Sequence, residues 1–330
     1  MKAQITKRTP VSYSLFKRVL CILGTAGAAV FVFLLILIGL FFSPPLLAQV
    51  SGRLHSASFQ QGSLLRTYHV YTPSVLSQHP GLLIVLQATG GNGVWMEAIT
   101  GFDSQAERLN WLVVYPDAAP GGWQVFSGDN QDVTFISSLI DRLQKEYGVD
   151  PKRVFVTGAS RGGMMSYRLG CSLSDKIAAI APVSGNMADQ SGNVEGAKCH
   201  PDRPVSVLTL HGTADPEIPV EGGRSQVNQE TVSYSPLNSV IAKWRELDGC
   251  DPQSSVRVSQ PSTLTTWSCQ DHTTVALRVV SGGGHAWPGG SIPFMAFVNV
   301  TQGSSNAPII PDSSFSASQV IADFFVAHSR

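Results

Sequence analysis

The sequence has little charge and no surplus of either sign. Lysine and arginine number 23 against 23 aspartates and glutamates, charged residues make up only 14%, and the formal net charge is zero. A nucleic-acid binder needs a basic surplus to neutralise phosphates, so that class is excluded. A disordered chain needs low hydrophobicity and high net charge, whereas 43% of these residues are hydrophobic. Internal repeats and low-complexity tracts are also missing, which excludes solenoids and fibrous arrays. Cysteine is scarce, at five, and its spacings are too wide for a zinc ribbon. What remains is a globular chain of 330 residues, long enough for one large domain or two small ones.

The neutrality is an average of unlike parts. Residues 1–18 carry Lys2, Lys7, Arg8, Lys17 and Arg18 and no acid, and residues 19–42 carry no charge at all. Those 24 apolar residues are long enough to span a bilayer's hydrocarbon core. The basic flank assigns the N-terminus to the cytoplasmic side. An uncleaved transmembrane signal anchor is the first reading of 19–42, because a signal peptide's apolar region is shorter, about 7–15 residues. Cleavage after Ala48 is the second. Residues 43–52 then form a linker, and 53–330 a single exported domain holding 18 bases against 23 acids.

Cys21 lies inside the apolar segment, leaving Cys171, Cys199, Cys250 and Cys269. Four cysteines in an exported domain imply two disulfides with three possible connectivities. The local pairing, Cys171 with Cys199 and Cys250 with Cys269, is the one expected.

Residues 56–60 and 66–71 flank Gln61-Gly62-Ser63 and read as a β-hairpin. The continuous apolar runs at 82–86, 111–115, 154–157, 177–183 and 205–210 are the mark of strands covered on both faces. Val133, Ile136, Ile140, Leu143 and Tyr147 recur at helical spacing, with Asp132 placed to cap the helix. A last helix is expected over 317–328, capped by Ser316, with Val320, Ile321, Phe324 and Phe325 facing inward. Strands alternating with helices mean an α/β domain with a mostly parallel central sheet and helices on both faces.

The chemistry is concentrated in Gly158-Ala159-Ser160-Arg161-Gly162, which directly follows the strand at 154–157 and precedes a helix-like stretch from Met164. This is the G-x-S-x-G nucleophile elbow in its required context. It projects the Ser160 hydroxyl from a tight turn and aims the Arg161 backbone N–H, at a helix N-terminus, toward a developing oxyanion. A serine hydroxyl needs a histidine to take its proton and an acid to orient that histidine, following it in the order serine, acid, histidine. Asp215 lies just past the strand at 205–210 and is the candidate acid, with Glu217 its close rival. His285 lies in the glycine-rich run 282–290 after a strand at 275–280 and is the candidate base. Of the eight histidines, His211 reads as a hydrogen-bonded structural residue and His272 as a solvated turn residue.

Those blocks, with Asp132-Val133-Thr134-Phe135-Ile136, His211-Gly212-Thr213-Ala214-Asp215 and Gly283-Gly284-His285-Ala286-Trp287-Pro288-Gly289, resemble a secreted esterase family. It includes polyhydroxybutyrate-depolymerase-like enzymes and feruloyl or acetylxylan esterases, all of the α/β-hydrolase fold. The match runs from about Phe59 to the C-terminus. The resemblance implies Ser160 as nucleophile, His285 as base, Asp215 as orienting acid and the Thr89 backbone N–H as a second oxyanion donor. It also implies cysteines before and after the strand that precedes the histidine loop, as Cys250 and Cys269 would be. Members usually carry His-Gly before the oxyanion loop, where this chain has Gln87-Ala88. A loop shifted enough to lose one donor would cost about 2.7–4 kcal/mol.

An exported serine esterase is therefore expected, needing no metal or organic cofactor and working through an acyl-enzyme. Its ester substrates would derive from feruloylated or acetylated plant polysaccharide, or from hydroxyalkanoates. It would contact the membrane only through an uncleaved N-terminal segment. A catalytically impaired binding protein of the same fold is the alternative that Gln87-Ala88 favours, and a serine peptidase is a third reading. Trp287 is expected to line the substrate pocket, and the loop 292–314 to cover the site. Asn299-Val300-Thr301 matches a glycosylation sequon.

Overall fold

The structure, a computed structural model, describes residues 52–126, 130–187, 199–227, 230–291 and 315–330. The chain divides into Met1–Gln49 and Val50–Arg330. The basic N-terminus, the apolar segment 19–42, nearly all of the linker, the loop 292–314 and the sequon at Asn299 lie outside the described residues. Among the described residues no helix is long and apolar enough to cross a membrane.

Among the described residues ten strands form one sheet. In chain order they are β1 (Arg53–Gln61), β2 (Leu64–Thr72), β3 (Leu82–Leu86), β4 (Leu112–Pro116), β5 (Val154–Ala159), β6 (Ala179–Val183) and β7 (Ser206–Gly212), then β10 (Ser255–Ser259), β11 (Ser262–Ser268) and β12 (Thr274–Val280). Their spatial order is β1-β2-β4-β3-β5-β6-β7-β12-β11-β10. The six central strands from β4 to β12 run parallel, and antiparallel strands extend the sheet at both ends. A separate hairpin, β8 (Gly223–Val227) with β9 (Glu230–Tyr234), lies outside this sheet.

Both sheet faces are covered because the central strands have no polar face to offer water. Along β3, Leu82, Ile84 and Leu86 enter one core while Leu83 and Val85 enter the other, all fully buried. The first core takes the apolar sides of α3 (Gln131–Tyr147), α4 (Arg161–Ser172) and α5 (Leu237–Leu247). The second takes those of α1 (Gly93–Thr100), α2 (Phe102–Leu109) and α6 (Ala317–Ala327). In α6, Ile321 and Phe325 are fully buried and Val320 and Phe324 half-buried, and Ser316 caps the helix by accepting the Gln319 N–H. Phe325 stacks on Phe155 of β5 with ring centroids 4.8 Å apart.

Two local expectations change. Asp132 does not cap α3, since the capping position belongs to Asn130. Its buried carboxylate instead accepts from Arg66 Nη2 at 2.8 Å and from the Gln124 N–H at 2.8 Å. A partner 66 residues away outcompetes the local backbone, because Arg66 comes up buried from β2 and needs a counter-charge. The cysteines pair as Cys171–Cys199 and Cys250–Cys269. Cys250 and Cys269 both precede β12, however, and do not bracket it. They enclose the antiparallel pair β10–β11, whose short polar strands carry no continuous apolar signal.

The Arg66–Asp132 pair is buried on both sides, at 2% exposure each. Asp132→Ala strands the guanidinium and is expected to destabilise the fold by roughly 3–5 kcal/mol, read as a lowered urea midpoint. Replacing both partners together, Arg66→Met with Asp132→Leu, should recover much of that loss.

Candidate active site

The parallel register sends the loops after β3, β5, β7 and β12 to one edge of the sheet. Leu86 pairs beside Gly158 across β3 and β5, and Val280 beside Gly212 across β12 and β7. Such an edge of an open α/β sheet is where ligands bind.

Ser160 is the residue between β5 and α4, at φ 54° and ψ −119°. A non-glycine side chain in that region is strained by about 1–3 kcal/mol, and fixed contacts must hold it there. The Ser160 N–H donates to Val183 O at 2.9 Å, and the Ser160 carbonyl accepts the Met164 N–H at 2.9 Å. The turn is possible because α4 enters against β3 with no side chain between them. A Cβ on Gly162 would lie 2.3 Å from Leu86 O and 2.6 Å from Gln87 O. The same contact brings Arg161, first residue of α4, beside the loop that begins at Gln87 and contains half-buried Thr89.

Asp215 and His285 meet although 70 residues separate them, with His285 Nδ1 donating to Asp215 Oδ2 at 2.8 Å. Both are buried. Their loops are tied by the Ala214 N–H, which donates to Gly283 O at 2.8 Å. Asp215 Oδ1 accepts the backbone N–H groups of Glu217 at 3.0 Å and Ile218 at 2.9 Å. His211 Nε2 donates to Ile218 O at 2.7 Å and lies 3.3 Å from Asp215 Oδ2. Here His211, within the end of β7, supports the acid's own turn. Glu217 does not take the place beside Nδ1, and its Oε2 lies 3.7 Å from His285 Nε2.

These contacts decide the charges. Burial pushes the Asp215 carboxyl up, but His285 and His211 outweigh it and hold the group below the usual carboxylate range. Burial pushes His285 down, but the charge and hydrogen bond of Asp215, with Glu217 behind them, leave it above its ordinary value. With Nδ1 carrying the proton given to Asp215, the basic lone pair of neutral His285 is at Nε2.

Trp287 is placed in the core. It is 4% exposed, its indole N–H donates to Ser318 Oγ at 3.0 Å, and its ring meets Phe102 edge-on at 5.8 Å. Ser318 Oγ in turn donates to Thr100 O at 2.5 Å, so Trp287 moors the histidine loop to α1, α2 and α6. A tryptophan with its one donor satisfied packs more favourably there than at a water-filled surface. A third apolar cluster consists of residues that sequence reasoning missed: Met164 of α4, Ile218 beside Asp215, and Val232 and Tyr234 of β9 pack together, with Val125 and Phe126 against them. Only the short run Thr231–Tyr234, with Val232 and Tyr234 two apart, signalled β9. Among the described residues no group of histidine, cysteine, aspartate or glutamate is arranged to hold a metal ion.

A family model described as phospholipase/carboxylesterase matches residues 126–240, which contain the elbow and Asp215. The acetyl xylan esterase of Aspergillus awamori superposes with a TM-score of 0.55 at 19% identity, covering 76% of this chain and 99% of its own. The chain has the α/β-hydrolase fold.

Among its sequence relatives, a bifunctional acetylxylan esterase/xylanase of Neocallimastix patriciarum is 29% identical over 67% of this chain and 31% of its own. Feruloyl esterase B of Piromyces equi is 33% identical over 53% of this chain and 34% of its own. The chain thus spans about a third of the length of these two relatives. The feruloyl and acetylxylan esterase resemblance read from the motifs is the one these relatives carry.

Glu217→Gln removes one of the two negative groups facing the His285 ring. Its titration midpoint, followed by NMR of the ring protons, is expected to fall toward the ordinary histidine value, and Asp215→Asn should lower it further.

Proposed function

We propose that this α/β-hydrolase is a serine carboxylic-ester hydrolase whose nucleophile, base and orienting acid are Ser160, His285 and Asp215. The observation that carries the reading is the buried 2.8 Å contact between His285 Nδ1 and Asp215, at the sheet edge where the Ser160 elbow emerges. The esterase names of the sequence relatives support the reaction class.

In the first half-reaction Ser160 Oγ attacks the ester carbonyl carbon while His285 Nε2 takes the hydroxyl proton. The carbonyl oxygen becomes an oxyanion facing the backbone N–H groups of Thr89 and Arg161. Collapse breaks the ester C–O bond, and the proton on His285 leaves with the alcohol. The acyl group is then bound to Ser160. Water repeats the sequence, giving up a proton to His285 and releasing the acid. Asp215 stays ionised throughout, and its other oxygen is fixed by two backbone N–H groups so that it cannot rotate away from the ring.

The apolar cluster of Met164, Ile218, Val232 and Tyr234 would pack against the organic part of the ester. Feruloylated or acetylated plant polysaccharide is the substrate class we favour, following the relatives' names, with hydroxyalkanoate esters second. Two disulfides, together with the basic and apolar segments of residues 1–42, support an extracytoplasmic site of action, with the chain anchored or released at its N-terminus. Gln87, which favours the impaired-binding alternative in sequence, has both side-chain polar atoms hydrogen-bonded here, Nε2 to Gly91 O and Oε1 to the Ala118 N–H.

A fluorophosphonate probe is expected to label Ser160, and its failure to label folded protein would refute the proposal. His285→Ala should lower p-nitrophenyl acetate turnover at least about a thousandfold. Near-normal rates would assign the base elsewhere. Hydrolysis compared across feruloyl, acetyl-xylan and hydroxybutyrate esters ranks the substrate classes.

A further inference from the structure

We infer that Gln87 is a positioning residue that clasps the oxyanion loop, setting the direction of the Thr89 N–H through two side-chain hydrogen bonds. The inference rests on the proposed esterase function, because the loop has an oxyanion to face only if that reading holds.

The loop between β3 and α1 is a tight turn. The Gly91 N–H donates to Ala88 O at 3.2 Å across Thr89 and Gly90, and Gly90 has φ 74°. A positive φ at the third residue is the geometry of a type II turn. The turn's own hydrogen bond does not use the Thr89 N–H. One 3.2 Å bond beside a glycine is a weak restraint on where that N–H points, so the aim must come from outside the turn.

Gln87 supplies it. Its side chain is 6% exposed, and Nε2 donates to Gly91 O at 2.7 Å while Oε1 accepts the Ala118 N–H at 3.1 Å. One neighbour is an acceptor and the other a donor, which fixes the amide orientation. The amide thus ties the far end of the turn to the segment that follows β4. That segment also reaches the elbow: the Trp123 indole N–H donates to Gln87 O at 3.0 Å, and Trp123 O accepts from Arg161 Nε at 2.7 Å. Beyond the turn, Asp117 Oδ1 accepts the Gly93 N–H at 2.7 Å, and Thr67 and His69 hold its other oxygen at 2.6 and 3.1 Å. Both ends of the loop are therefore fastened to residues 117–123, and Gln87 is the fastening nearest Thr89.

Glutamate at this position offers a switchable version of the same clasp. A protonated carboxyl can donate to Gly91 O and accept from Ala118, whereas an ionised one can only accept and repels Gly91 O. The test measures kcat and KM of wild type, Gln87→Glu and Gln87→Met from about pH 5 to 8, each well below its own melting temperature. Gln87→Met is expected to lose about 10- to 100-fold in kcat at every pH with KM changed less than about threefold, as a misdirected oxyanion donor would give. For Gln87→Glu the ratio of its kcat to that of wild type should rise as pH falls. The charged and titratable groups around the loop, Asp117, His69, Glu217 and Arg161, are present in both proteins, so the ratio isolates the added carboxyl.

A folded Gln87→Met with kcat within about twofold of wild type overturns the inference, as does a flat ratio for Gln87→Glu. A Gln87→Glu protein that fails to fold even at low pH also overturns it, since the neutral isostere should satisfy both partners. Wild type that reacts with the fluorophosphonate while the Gln87 variants turn over normally refutes the clasp alone. Wild type inert to the probe refutes the proposed function and the clasp with it.

Discussion

The whole arrangement depends on one close approach, the first turn of α4 against the end of β3 at Gly162. No side chain intervenes, so the helix that follows Ser160 meets the carbonyls of Leu86 and Gln87 directly. That contact forces the sharp reversal that leaves Ser160 at positive φ, and it brings the two segments proposed to supply oxyanion donors side by side. A methyl group there would separate α4 from β3 and deform both. The hydrogen bonds of Ser160 to Val183 and Met164 then lock the turn from the other side. The strain in the serine backbone is thus sustained by packing that extends across β3, β5 and β6.

Around that contact the charged groups are arranged so that each is used once. Asp215 is buried, yet both of its oxygens are engaged, one by backbone N–H groups and one by histidines. A buried carboxylate is tolerated only under such saturation. Arg66 and Asp132 solve the same problem by pairing with each other, both buried. The contrast is informative: the structural pair is closed on itself, whereas the Asp215 system ends in an imidazole whose second nitrogen lies 3.7 Å from Glu217 Oε2.

The central sheet was legible in the sequence because its strands are buried on both faces, and such strands must be written as uninterrupted apolar runs. The elbow was legible for a related reason, since glycines at 158 and 162 and a serine between them leave few other backbones. Asp215 and His285 could be picked out by lying just past strand ends, and the structure brings these two together. What escaped notice has a common cause. The β8–β9 hairpin and the β10–β11 pair are short, partly polar and held by their neighbours or a disulfide, so no periodicity announces them. The role of Asp132 depends on Arg66, that of Trp287 on Ser318 and Phe102, and that of Gln87 on Gly91 and Ala118. A side chain whose meaning is set by a distant partner looks, along the chain, like any residue of its type. Trp287 was read by its distance from His285 in sequence, while packing against α1, α2 and α6 decided its place.

The order of the site along the chain has a consequence for when chemistry can begin. The loops that carry Ser160, Asp215 and His285 follow β5, β7 and β12, and β12 inserts between β7 and β11. A nascent chain that has reached β7 can fold a sheet with the elbow already bent and the acid in place. It still lacks the imidazole, whose loop is bonded to the turn before Asp215 only after β12 has docked along β7. A product that ends before β12 therefore keeps Ser160 without the imidazole proposed to accept its proton. On the proposed roles, the site stays incomplete by topology until β12 is seated.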